Sequence, residues 1–459
     1  MRPARRLALG LGIAALTLVT APRAATLVPA EPGALAAALA SCAAGDTLLL
    51  ASGTHTGPAR VDRPIVLRGE PGAVIAGDGT GTVVVIGSDR VTIEDLEVRD
   101  SGRRVITTDA GIQVIRSIGV HLRRIRLHDV LYGVYGERCD SLVVEDCELV
   151  GRVAARHDDG EGNGIHLWYT KDVVLRGNRE RHFADGVYLS FADRIRVEGN
   201  VLESNGRYGL HTMYCQENTL VGNHFVGNVA GCAIMFSNHL QVAHNDFRRN
   251  RGPRAYGLLL RDCSDGDFFD NRLIDNTIAV FFDGSNRNRF HDNLLADNGW
   301  GLFIFASSAR NDVFSNSFIH CDYPVALDMR YTTNRFDDGR VGNYWSDNTP
   351  YDLDGDGTSD VPYSPVSTFA FLSKQYPDLS VLARSPAVAA LSVAERVLPA
   401  LRPSEAVDHF PRLVPARVQG AGDLPAPSGD AARAGGRVAA FGSLLAFGLG
   451  GMWFARRFA

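Results

Sequence analysis

The chain has 459 residues, 45% of them hydrophobic and 22% charged, with a net charge of −5. Acid and base nearly balance, which excludes the basic surplus that a nucleic-acid partner requires. Seven cysteines in a chain that opens like an exported protein would ordinarily suggest disulfides, a reading the repeat described below argues against.

Residues 1–25 begin with Arg2, Arg5 and Arg6, continue through an apolar run at 7–21 and end on Ala24 and Ala25. That is the build of a secretory signal peptide, with Arg23 standing where a small residue is preferred. It predicts a mature chain outside the cytoplasm. Residues 29–44 are alanine-rich and predict a short helix, followed by alternating segments at 83–86 and 91–93. A helix in this place would cover the open apolar end of a solenoid, as terminal caps must.

A frame then repeats at Gly133, Gly164, Gly186, Gly209, Gly231, Gly257, Ala279, Gly301 and Pro324, at intervals of 31, 22, 23, 22, 26, 22, 22 and 23. An asparagine follows the frame position by 14 or 15 residues at Asn178, Asn200, Asn223, Asn245, Asn271, Asn293 and Asn316, and a second comes five later at Asn205, Asn228, Asn250, Asn276 and Asn298. Self-similarity at a fixed short period marks a solenoid. Short β-rich runs broken by Gly and Asn make its units strands and turns, so residues 26–365 are predicted to form a right-handed parallel β-helix of the pectin-lyase-like kind, an all-β fold. Asn tolerates left-handed turn backbone, and amides stacked ~4.8 Å apart can hydrogen-bond along a column. The asparagines are therefore structural.

Cys139, Cys215 and Cys263 each lie six residues after their frame glycine. They share a column without lying on adjacent coils, too far apart to bridge. Small core thiols are expected.

Side chains alternate along a strand, so the first and third residues after each frame position, such as Val187/Leu189 and Leu258/Leu260, point into the core. The second and fourth should face solvent, yet they include His166/Trp168, Tyr188/Ser190, His211/Met213, Ala233/Met235 and Phe303/Phe305. This face is too apolar for a free surface. His211 and Met213 would lie ~6.6 Å apart on one strand, with Met235 ~4.8 Å from Met213 on the next coil. Imidazole with thioethers is a soft set that suits Cu(I) better than zinc or calcium, so these three are copper candidates. The same residues could instead pack against a protein partner. His166, two coils below His211, fits a second copper station better than the same one.

The acidic stretch Asp352-Leu353-Asp354-Gly355-Asp356-Gly357 opens like a calcium loop, with Asp360 at its ninth position. The twelfth position is Tyr363, not Glu, so calcium competes with a plain acidic turn. Residues 366–417 lose the Asn and Gly punctuation, and 388–398 reads as an amphipathic helix between Pro386 and Pro399. This predicts a helical segment that docks on a membrane partner. A flexible linker follows at 418–437. Residues 438–455 are uncharged and precede Arg456 and Arg457, long enough for a membrane segment or a processed sorting tail.

Taken in order, Gly162-Asn163-Gly164-Ile165-His166-Leu167-Trp168, Arg207-Tyr208-Gly209-Leu210-His211-Thr212-Met213-Tyr214 and Gly342-Asn343-Tyr344-Trp345-Ser346-Asp347 resemble the NosD family of nitrous oxide reductase maturation proteins over about residues 26–415. The resemblance implies a periplasmic, non-catalytic β-helix that works with the ABC transporter proteins NosF and NosY. It also implies copper received from NosL and help in assembling the copper–sulfide centre of NosZ. The apolar tail beyond 418 is additional to that pattern. A different class, a carbohydrate-active β-helix such as a lyase, hydrolase or uronan epimerase, needs clustered acid and base groups. Its best candidates are His157, Asp158, Asp159 and Glu161.

Overall fold

The computed structural model describes residues 25–152, 162–382, 385–397 and 405–416. The chain winds as a right-handed parallel β-helix whose coils lay strands on three parallel sheets of 13, 12 and 13 strands. Sheet I runs from Thr26–Val28 to Asp312–Phe314, sheet II from Ala59–Val61 to Tyr323–Leu327, and sheet III from Gly53–Thr56 to Tyr344–Trp345. The frame read from sequence is the register of sheet II: Leu210 pairs with Val187 below and Cys232 above.

Alternation sorts the core. Val187, Leu189, Leu210, Ile234, Leu258 and Leu260 are wholly buried, each such side chain contributing roughly 1.5–3 kcal/mol. In sheet III the inward column includes Phe225 stacked on Phe247 at 4.7 Å.

The frame glycines are required by close approach between coils. A Cβ on Gly209 would stand 2.5 Å from the carbonyl oxygen of Gly231, and one on Gly186 2.7 Å from that of Gly209.

The asparagine columns are hydrogen-bonded ladders. Asn178 donates its side-chain N–H to Asn200 Oδ1 at 3.0 Å, and Asn200, Asn223, Asn245, Asn271, Asn293 and Asn316 continue the chain at 2.9–3.0 Å as far as Asn343. One expectation is corrected. The left-handed residue is the one before each asparagine, such as Gly199, Gly222, His244 or Asp292. The asparagine is selected because its amide fits inside the corner, where it also donates to a strand carbonyl below, as Asn200 does to Leu175 at 2.9 Å.

The cysteines are all free, and six of the seven are buried. Their column alternates with serines: Ser237 Oγ accepts the N–H of Cys215, and Ser285 Oγ that of Cys263, both at 3.1 Å. Burial pushes the Cys139, Cys215 and Cys263 thiols up to about 12, which keeps them protonated and inert.

Helix α1 (Ala34–Ser41) closes the amino-terminal end with Leu35 buried. At the other end, the described residues of the 366–416 stretch do more than form helices. Helix α2 (Thr368–Gln375) stacks Phe369 on Tyr323 of sheet II at 5.8 Å, and Glu395 of helix α3 (Pro386–Val397) accepts the Thr368 N–H at 3.0 Å. Residues 405–416 then return to the solenoid, where Arg412 bridges Tyr344 and the Asp408 carboxylate meets Asn343.

The expected signal peptide, apart from Ala25, the linker at 418–437 and the apolar run at 438–455 lie outside the described residues. Among those described, no helix is long and apolar enough to cross a membrane.

Candidate metal centre

The outward face of sheet II brings three of the copper candidates together. Met213 and Met235 are in register on adjacent strands, hence ~4.8 Å apart. His211 lies on the strand of Met213 (Tyr208–Met213). His166 is not with them, because the ring of Tyr188 lies between, 4.7 Å from His166 and 4.9 Å from His211.

This face points outward, as alternation requires, yet His211 is only 7% exposed, and Leu259 and Phe281 are buried as well. The alternation restarts at the frame glycine, so the residue before it also lies on the outward face. Tyr208 packs its ring 4.8 Å from His211, Tyr256 lies 4.9 Å from Phe281, and Trp300 5.7 Å from Phe303. These rings cover the columns that would otherwise be bare, and Met235 packs into the apolar cluster of Ala233, Leu259 and Phe281.

Asp185 is the residue before Gly186, and its carboxylate organises the polar half of the face. It accepts two hydrogen bonds from Arg207, at 2.8 and 2.5 Å, and faces His211 Nδ1 at 3.4 Å. Burial pushes this carboxyl upward, but hydrogen bonds from His211 and Arg207 outweigh it and hold Asp185 below its ordinary value. With Nδ1 turned to a carboxylate, His211 is left with a buried Nε2 that makes no hydrogen bond. A lone buried imidazole nitrogen backed by a carboxylate is the arrangement that outer-shell partners impose on metal-bound histidines.

His166 is set up differently. Asn163 Oδ1 accepts the Asp185 N–H at 3.2 Å, which fixes the amide so that its NH2 donates to His166 Nδ1 at 3.0 Å. Burial drives the His166 pKa down to about 4, so the ring is neutral, stacked on Tyr135 at 5.0 Å, with one nitrogen already engaged. Tyr188 in turn donates its hydroxyl to Met213 Sδ at 3.5 Å.

In the acidic loop, Asp352, Asp354 and Asp356 each bring an oxygen within 4.8 Å of the others, the one such grouping of His, Cys, Asp or Glu among the described residues. All three also accept backbone N–H bonds of the loop, Asp352 from Gly355 and Gly357, Asp354 from Asp356 and Asp356 from Thr358, while Asp360 stands outside the group and accepts the Leu353 N–H at 2.7 Å. His157, Asp158, Asp159 and Glu161 lie outside the described residues.

Sequence reasoning passed over Asp185, Arg207 and the position before the frame glycine. The column Tyr132, Asn163, Asp185, Tyr208, Ala230 and Tyr256 was legible, but a strict alternation rule assigns it to the core. A further stack went unread, the exposed rings of Tyr169, Phe191 and Tyr214 with the half-buried ring of Phe236, spaced 4.7–5.1 Å apart and within 11° of parallel. All four sit in left-handed backbone, φ 50–57°, where such bulky residues are uncommon.

A family model described as "Periplasmic copper-binding protein (NosD)" matches residues 151–350. A protein of Pseudomonas aeruginosa named "Probable ABC transporter binding protein NosD" is 32% identical over 411 residues, 79% of this chain and 87% of that one. A protein of the same name from Stutzerimonas stutzeri is 27% identical over 79% of this chain and 85% of its own length. Among solved structures, the A-module of a mannuronan C-5 epimerase from Azotobacter vinelandii superposes with a TM-score of 0.54 at 15% identity, covering 64% of this chain and 93% of that one. A family 28 exopolygalacturonase from Yersinia enterocolitica gives 0.52 at 8% identity, covering 66% and 77%. Those two likenesses carry the fold alone, whereas an identity of 32% sustained over 79% of the chain carries descent: this protein belongs to the NosD family.

Proposed function

We propose that this chain is a periplasmic accessory protein, not itself a catalyst, that takes up Cu(I) and hands it on during assembly of the copper–sulfide centre of nitrous oxide reductase. The observation that carries the reading is the pair of in-register thioethers, Met213 and Met235, on the face where His211, two residues before Met213 on the same strand, has an Nε2 without a partner. Two thioethers and an imidazole are matched to Cu(I), here a cargo and not a resident cofactor. The family description supports copper and the periplasm, and the relatives' names support work with an ABC transporter. The transporter proteins are NosF and NosY, the copper donor is NosL and the recipient is the reductase NosZ. The segment at 366–417 contacts the membrane partner, and residues 438–455 associate with the membrane. Asp352, Asp354 and Asp356 offer hard oxygen ligands to calcium as a separate, structural ion.

The test is competition for Cu(I) between the purified protein and a chromophoric chelator under anaerobic conditions, for the parent and for the Met213→Leu/Met235→Leu double variant. Leucine keeps apolar volume and removes both sulfurs. Loss of Cu(I) binding with an unchanged thermal transition is expected. Retention of parental affinity, together with an active reductase in cells, would assign the methionines to a packing patch.

A further inference from the structure

Tyr188 stands at the centre of the candidate site without being a candidate ligand. Its ring separates His166 from His211, and its hydroxyl donates to Met213 Sδ at 3.5 Å. A thioether sulfur has two lone pairs, and a hydroxyl hydrogen aimed at it engages one and draws electron density from the other, which weakens the sulfur as a metal ligand. A second hydroxyl stands nearby: Ser190 lies two residues along the same strand face as Tyr188, where its side chain can donate to the phenol oxygen and, with its hydrogen turned away, accept from it. Ser190 is buried and lies directly beside Met213 in the sheet register. The hydroxyl can therefore leave the sulfur without losing its hydrogen bond altogether.

We propose that Tyr188 is a positioning residue for copper release: its hydroxyl occupies Met213 Sδ in the empty site and turns to Ser190 when Cu(I) takes the sulfur. This rests on the reading of Met213 as a copper ligand. Its consequence is a site whose affinity is held down by an internal competitor, as a cargo site needs if the ion is to leave. Ser190 is then the accessory that limits how far the affinity falls.

The two residues have opposite expected effects, which a merely structural role does not produce. Tyr188→Phe keeps the ring contacts and removes the competitor. Cu(I) affinity, read by chelator competition on the full chain, should rise about fivefold, the factor that one net hydrogen bond of about 1 kcal/mol represents. Transfer of the ion to the chelator should slow correspondingly. Ser190→Ala removes the hydroxyl's alternative partner and should lower affinity, about two- to fivefold on the same scale. Unchanged or weakened binding in Tyr188→Phe overturns the proposal. If that variant does not fold, Ser190→Ala decides alone: weaker binding supports the proposal, and unchanged or tighter binding overturns it. The methionine double variant separates the two levels. If it binds Cu(I) like the parent, the copper site itself is wrong; if it loses Cu(I) while Tyr188→Phe binds no tighter, only the role of Tyr188 is wrong.

Discussion

Asp408 accepts the backbone N–H of Asn343 at 2.7 Å, in the place where every earlier asparagine of the column meets the Oδ1 of the next. The long ladder thus ends on a carboxylate supplied by the returning carboxy-terminal segment. Asp408 also accepts from the Trp345 indole at 2.8 Å and the Phe410 N–H at 3.0 Å. Asp408→Ala strands these buried donors, at roughly 1–3 kcal/mol for each left bare. Faster hydrogen exchange is expected at Asn343 and across residues 405–416, with sheet II unchanged.

The same carboxyl makes that end sensitive to pH. Burial raises Asp408 to about 6, although its N–H donors pull the other way. A carboxyl with a raised folded pKa binds its proton more tightly in the folded state. Its contribution to stability is fully present below the ordinary value of 3.8 and is lost as pH rises through about 6. Proteolysis within 405–416 should therefore quicken between pH 4 and pH 7 in the parent, and that rise should shrink in Asp408→Asn.

Glu180 is an anomaly of the core. It lies in the inward column of sheet III between Leu149 and Leu202, wholly buried, and neither carboxyl oxygen has a hydrogen-bond partner. Burial pushes its pKa well above 4.5. Glu180→Leu matches both column neighbours and should stabilise the chain by about 1–3 kcal/mol in chemical denaturation. The gain should grow as pH rises above 4.5, because the parent's folded state must then either keep its proton against the solution or bury a charge.

The architecture was legible because a solenoid writes each structural demand once per coil. A glycine wherever a Cβ would strike the next coil's carbonyl and an asparagine wherever an amide closes a corner both survive as a period in the sequence. His211, Met213 and Met235 were legible for the same reason, since register turns sequence spacing into distance. Asp185 was not, because the strand's alternation restarts at Gly186 and moves its side chain to the outward face. Asp408 was not legible either. Its partner Asn343 is 65 residues away in sequence, and the segment that carries it has no repeat signal. The separation of His166 from His211 was legible as a spacing of two coils, whereas the nitrogen that each ring has engaged depends on Asn163 and Asp185, and spacing does not carry that information.

His291 is a second pH-dependent position, on the outer surface of sheet I. Nε2 faces Asp267 at 2.9 Å and Nδ1 faces Asp292 at 2.7 Å, and only the protonated ring can donate to both. Burial lowers its pKa, but the hydrogen bonds to Asp292 and Asp267 outweigh it, so the net shift is upward. The stability this contributes is fully present below 6.5 and is lost as pH rises through the raised folded pKa. His291→Phe keeps the stacking between Phe269 and Phe314, at 5.5 and 4.9 Å in the parent, and removes the charge. Its deficit in chemical denaturation should be largest near pH 6 and smaller at pH 9.

The two histidines of the candidate centre should separate cleanly. His166 has Nδ1 held by the Asn163 amide and a ring packed among Tyr132, Tyr135 and Tyr188, so a metal would have to displace an existing bond to use that nitrogen. His211 has Nδ1 turned to Asp185 and Nε2 without a partner, so a metal would satisfy an atom that the fold leaves bare. His211→Asn should therefore lower Cu(I) affinity at least about tenfold, the loss of about 1.4 kcal/mol or more of ligand interaction. His166→Asn should leave affinity within about threefold, because what it removes is packing and not a donor to the metal. Chelator competition at fixed pH reads both values, and circular dichroism checks that each variant keeps its β-helix. Equal losses in the two variants would move the centre toward Tyr188 and make His166 a ligand; no loss in either would take imidazole out of the site and leave the two methionines to hold copper alone.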